Sequence, residues 1–168
     1  MTDASRLEWG ASALLAALAG TWEGVGHGEY QTIDSFDYRE HAEFVFDESR
    51  RLVRYSFDDT IIGPNGEDLR PTHAEVGILK LTEDDDFELL SAQTGRIEVL
   101  RGRISAVPRS AAMELRLESV VIAHDPRVAN SARILRLEDD ALHYEVWMEL
   151  ANLNGSQIHT RATLRRED

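Results

Sequence analysis

The chain contains no cysteine and six histidines, so imidazole, carboxylate and hydroxyl groups must supply whatever chemistry it performs. Without cysteine there are no disulfide scaffolds, thiolate nucleophiles, CxxC redox pairs, thiolate metal sites or zinc-deaminase pattern. His27, His41 and His73 each precede a glutamate by two positions, Glu29, Glu43 and Glu75. Residues two apart share a face of a strand, so each pair could offer an imidazole and a carboxylate to one ion. Alternation also produces such pairs by chance, and His41 and His73 read as structural or solvent-facing. His124 and His143 lie beside turns or charged neighbours and read as surface residues. His27, between Gly26 and Gly28, has the parity opposite to Trp22; it points outward unless a bulge brings it to a ligand's edge. His159 shares parity with Arg161, Thr163 and Arg165, while Ile158, Ala162 and Leu164 form the more apolar stripe. Two arginines do not face a dry interior unpaired, so simple alternation places His159 outside. Neither HExxH nor a GxSxG elbow occurs, and paired carboxylates are too abundant to carry information.

The second feature is the segment Gly20-Thr-Trp-Glu-Gly-Val-Gly-His-Gly-Glu-Tyr30, in which Gly20, Trp22, Gly24, Gly26, Gly28 and Tyr30 share one parity. In an extended chain they form one face, with flat gaps between two aromatics. Glycines at alternate positions weaken a strand, so they point to close approach by backbone or ligand, or to a bending barrel wall. No lysine follows and no helix opens after them, which excludes P-loop and Rossmann readings.

These residues need strands to hold them. Ser12 to Leu18 is the one helical piece, rich in Ala and Leu, with Ser12 as N-cap and Gly20 as stop. Beyond Gly20 the period becomes two: Phe36 and Tyr38, then Ala42, Phe44 and Phe46, alternate with polar residues. Further strands read at Leu52 to Phe57, Ala74 to Leu81, Phe87 to Ala92, Ile97 to Ile104, Met113 to Ile122, Arg133 to Leu137, Leu142 to Leu150 and Ile158 to Leu164. Short connections with turn residues make neighbours antiparallel, and no crossover helix is available for a parallel sheet. The expected fold is all-β: an antiparallel up-and-down barrel of about ten strands behind a short N-terminal helix, closed to hide its edges and able to hold one small ligand.

A length of 168 residues with 42% hydrophobic and 29% charged residues suits one compact core, divided here into an N-terminal segment, 1–19, and a barrel domain, 20–168. A formal charge of −13 repels a phosphate backbone and gives no attraction to anionic membrane, so neither nucleic acid nor membrane is an expected partner. No apolar run nears the roughly 18 residues that cross a bilayer, and the basic-then-hydrophobic start of a leader is missing. The expectation is cytoplasmic.

The string GTWEGVGHGEY followed by Thr32 resembles the G-x-W-x-G-x-G-x-G-x-Y-P-T-I signature of the nitrobindins, small haem-binding β-barrels shaped like fatty-acid-binding proteins. The resemblance continues through Phe36-x-Tyr38-x-Glu40, Leu52-x-x-Tyr55, His73-x-Glu75-x-Gly77, Thr94-Gly95 with Glu98, Leu142-x-Tyr144 and His159-Thr-Arg-Ala-Thr-Leu-Arg. It covers nearly the whole chain. Gln31 departs from it where proline is usual, as does Asp125-Pro126-Arg127 near the expected pocket rim. The resemblance implies a ferric haem b that binds nitric oxide and isomerises peroxynitrite to nitrate, with catalysis at the iron and protein acid–base groups secondary. It implies His159 as the axial iron ligand, which requires a bulge near Asn154-Gly155 to turn the strand, and Thr32 as a haem contact. Arg127 is a further candidate contact on charge alone, since haem propionates want cations and this acidic chain offers few in that stretch. The implied partners are haem and small reactive nitrogen species; a homodimer is compatible with the sequence. The alternative is a carrier of a fatty acid or other apolar molecule without haem.

Overall fold

The computed structural model describes residues 3–30, 33–106, 112–153 and 155–167. One helix, α1 (Asp3–Leu18), precedes β1 (Gly20–Tyr30), β2 (Ile33–Asp47), β3 (Leu52–Ile62), β4 (Asp68–Leu81), β5 (Phe87–Gln93), β6 (Arg96–Ala106), β7 (Met113–Ala123), β8 (Val128–Glu138), β9 (Ala141–Leu150) and β10 (Ser156–Arg166). Every strand runs antiparallel to its sequence neighbour, and β10 pairs with β1 to close the barrel. The ten strands expected are present, and among the described strands each has a neighbour on both sides.

α1 starts well before Ser12, which is exposed within the helix and is not its N-cap. Its buried stripe is Ala11, Leu14, Leu15 and Leu18, at i, i+3, i+4 and i+7, all at most 1% exposed. They seal the barrel base against Trp22, Phe44, Val53, Leu79, Phe87, Leu100, Leu115 and Leu164. Each such leucine contributes roughly 1.5–3 kcal/mol by leaving water. Trp22 Nε1 donates to Leu18 O at 2.8 Å, and the Arg166 guanidinium lies 4.3 Å above the Trp22 ring. The chain leaves the helix through Gly20 at φ 126°, a value that favours glycine.

The glycines of β1 answer to close approach. A Cβ on Gly24 would lie 2.0 Å from the Thr163 carbonyl oxygen of β10; on Gly26, 2.2 Å from the Tyr38 ring; on Gly28, 2.7 Å from the Phe36 ring. Backbone therefore occupies the first gap, and rings from β2 lie over the other two.

Candidate ligand cavity at the barrel mouth

At the end opposite α1, side chains of eight strands converge on an open cavity of about 550 Å3, within the range of small-molecule sites. Val146, Met148 and Leu150 of β9 with Val128 of β8 give it apolar wall, and Arg96, Asp125 and Arg127 stand towards its rim. Deeper, between this cavity and the leucine core, the inward positions of β4, β5, β6 and β8 turn polar. Arg133 donates from Nη1 to Glu75 Oε1 at 2.6 Å and from Nη2 to Glu98 Oε2 at 3.0 Å. Tyr55 and Ser91 hydroxyls donate to Glu75 at 2.6 and 2.9 Å, and Ser131 donates to Glu98 at 2.7 Å. Burial alone would raise the Glu75 carboxyl, but Arg133 and then His73 hold it well below the usual range. Burial likewise opposes the Arg133 charge, which Glu75 restores.

His159 lies on this cavity. Ile158 pairs with Trp147 and Thr160 with Val146, so His159 is the extra residue of a β-bulge. The bulge shifts the parity: His159, Ala162 and Leu164 are buried, whereas Arg161, Thr163 and Arg165 are exposed. The expected turn of the strand thus falls on His159 itself. The residue is 4% exposed, its ring meets Tyr30 edge-on at 5.0 Å, and its Nδ1 is buried without a hydrogen-bond partner among the described residues. Burial, then the nearby Arg96 charge, push its pKa down, so the ring is neutral at neutral pH with its lone pair available.

Of the other expected contacts, Arg127 sits in the β7–β8 turn and lines the cavity, with Nε and Nη2 on Asp125 at 2.8 and 3.1 Å. Gln31 and Thr32 lie outside the described residues. The motif positions run from base to mouth: Gly20 and Trp22 at the helix junction, Gly24, Gly26 and Gly28 along the wall, and Tyr30 against His159. His27 points outward to Asp37 at 2.7 Å and Glu29 at 3.7 Å. His41 is exposed, 3.3 Å from Glu23. His124 is exposed in a turn, and His143 Nδ1 is 2.9 Å from Thr163 Oγ1. His73 also lines the cavity, 3.5 Å from Glu75.

Sequence reasoning did not single out Asp59 and named Glu40 only as a motif position; Glu40 and Asp59 face each other across β2 and β3 and are 0% and 7% exposed. Asp59 reaches the cavity wall, and the Tyr144 hydroxyl donates to Glu40 Oε2. Burial first, then its neighbour's charge, push Glu40 well up, and burial pushes Asp59 up to about 6. Their inward parity with Tyr38 and Phe57 was the available signal.

A family profile described as THAP4-like, heme-binding beta-barrel domain matches residues 11–166. Peroxynitrite isomerase 1 of Rhodococcus jostii is 34% identical over 155 residues, 91% of this chain and 82% of that protein. Peroxynitrite isomerase of Nocardia farcinica is 32% identical over 159 residues, covering 92% and 90%. Among solved structures, that of Rv2717c from M. tuberculosis superposes with a TM-score of 0.81 at 28% identity, over 94% of this chain and 98% of the other.

Proposed function

The chain belongs to the THAP4-like, haem-binding β-barrel family, and from that premise we propose that it carries a ferric haem b, binds nitric oxide and isomerises peroxynitrite to nitrate. The supporting observation is a buried, neutral imidazole with an unpartnered nitrogen beside a cavity of about 550 Å3. These residues fit the group. His159 would be the axial ligand, Val128, Val146, Met148 and Leu150 would pack on the macrocycle, and Arg127 and Thr32 would contact its polar edge. When bound, the haem iron supplies the Lewis-acid and redox chemistry. Peroxynitrite and nitrate contain the same atoms, so the chain need not deliver a net proton or water. It has to orient the imidazole, exclude bulk solvent and leave access. Tyr30 bears on the first task, and the apolar wall of β8 and β9 on the second.

The carrier reading is disfavoured by the interior. Arg133, the cation a fatty-acid carboxylate would seek, is already bonded to Glu75 and Glu98, and the apolar void beneath them measures only about 50 Å3. No helix among the described residues is long and apolar enough to cross a membrane.

Titration of the purified protein with haemin tests the proposal. The expected result is stoichiometric uptake with a histidine-ligated ferric absorption spectrum, followed by accelerated conversion of peroxynitrite to nitrate. His159→Ala should abolish that spectrum while leaving the far-ultraviolet circular dichroism of the barrel intact. Unchanged haem binding by His159→Ala would refute the ligand assignment, and failure of the parent protein to take up haem would refute the function.

A further inference from the structure

Glu40 and Asp59 form the one directly facing cross-strand carboxyl pair among the buried residues described, and neither has an ion-pair partner in that set. Glu40 Oε1 and Asp59 Oδ1 are each buried without a hydrogen-bond donor. Two such carboxylates cannot both ionise at close range in a low dielectric. One proton placed between the two carboxyl groups supplies the missing donor, while the Tyr144 hydroxyl satisfies Glu40 Oε2. Glu40 is the more deeply buried of the two and Asp59 is the one on the cavity wall; burial favours the neutral acid, so the shared proton belongs on the Glu40 side and the charge on the Asp59 side.

The groups around Asp59 make this charge consequential. Tyr38 and Glu40 face it from β2, His73 and Glu75 from β4, Tyr144 from β9 and Tyr30 from β1. His73 is the cation nearest to hand when protonated, but its ion-pair partner is Glu75. Arg96 on the cavity wall lies against Glu98 at 3.1 Å and Asp125 at 3.8 Å. Arg127 at the rim shares Asp125, and Arg133 is held by Glu75 and Glu98, so an anion entering the cavity would lose its hydration and meet the Asp59 carboxylate with every lining guanidinium already on a carboxylate.

We propose that Glu40 and Asp59 share one proton, and that Asp59 accepts the proton of a weak acid entering the cavity, so that a small anion is taken up as its neutral conjugate acid. The step balances. The acid HX breaks its H–X bond, the proton forms an O–H bond on Asp59, and X− keeps the electron pair. One negative charge is present before and after, so uptake is electroneutral. The inference rests on the haem reading for what holds X−, and the oxidant peroxynitrite, entering as peroxynitrous acid, belongs to this class of ligand.

The test has two arms. On the haem-free protein, infrared spectroscopy at neutral pH should show the carbonyl stretch of a buried protonated carboxyl, absent from Glu40→Gln; lack of that band in the parent overturns the shared proton. On the haem-loaded protein, azide is titrated by visible absorption between about pH 6.5 and pH 8, where one proton taken up per azide predicts affinity falling about tenfold per pH unit. Asp59→Asn should flatten that dependence, and His73→Gln should preserve it. A flat profile in the parent protein, an unchanged slope in Asp59→Asn, or a slope lost in His73→Gln overturns the inference while leaving the haem function standing. Failure of the parent to take up haem removes the function and the weak-acid role together, with the infrared band still deciding whether the proton is shared.

Discussion

At the scale of single residues, the interior depends on Arg133, whose buried guanidinium bridges Glu75 and Glu98. A buried pair or triad costs much of its Coulomb gain in desolvation, so its presence says little about net stability. Removing one member is different, because it strands the others. Arg133→Met keeps similar bulk, strips Glu75 of its guanidinium and leaves Glu98 with Arg96 alone; it should destabilise the barrel by roughly 3–5 kcal/mol. Urea denaturation followed by tryptophan fluorescence measures this, and a loss well under 1 kcal/mol would mean that water or a rearranged Arg96 replaces the guanidinium. The prediction concerns packing and charge alone and does not require haem.

At the scale of elements, β1 ties base to mouth, and Gly24 is where its backbone comes closest to β10. The Cβ of an alanine there would lie 2.0 Å from the Thr163 carbonyl oxygen, and a main-chain oxygen in a paired strand cannot swing aside as a side-chain tip can. Gly24→Ala should cost about 1–3 kcal/mol by the usual penalty for overpacking, and should weaken hydrogen-exchange protection along β1 and β10 first. Protection lost uniformly around the barrel would count against a local seam. This element also shows what the sequence could reveal. Period-two alternation located β2 to β10, and glycine parity marked β1 and its wall of close approach. α1 was legible only at its Leu-rich end, because its earlier turns carry mixed composition. His159 defeated simple parity, since a bulge is a pairing event between β9 and β10 and one strand's pattern does not encode it; the family resemblance supplied what alternation could not. Asp59 was concealed by composition, and Glu40, Glu75 and Glu98 were legible as motif positions but not as members of a buried network. In a chain with 31 acidic residues, an inward carboxylate looks like any other until its partner from a distant strand is known.

For the whole molecule, the consequence of these buried carboxyls is a stability optimum on the acid side of neutrality. Asp59 rises from 3.8 to about 6 on folding, and Glu40 rises from 4.5 for the same first reason, burial. Both bind protons more tightly in the folded state, so their contribution is complete below the unfolded values and is lost as pH rises towards the folded ones. Glu75 acts oppositely: its carboxyl is held below 4.5 in the barrel, so its contribution is present above that value and fades as pH falls. Stability should accordingly decline from mildly acidic to alkaline pH, by at most about 1.4 kcal/mol per pH unit for each proton taken up on folding. The formal charge of −13 adds general self-repulsion in the same direction, but added salt screens surface repulsion far more than it screens a buried pair. Glu40→Gln separates the contributions. At about pH 8 in high salt its thermal midpoint should exceed that of the parent, because folding no longer has to capture the Glu40 proton, and the difference should shrink as pH approaches the unfolded glutamate value. If parent and variant melt in parallel across the whole range, Glu40 is ionised in the folded barrel and the decline belongs to surface charge alone.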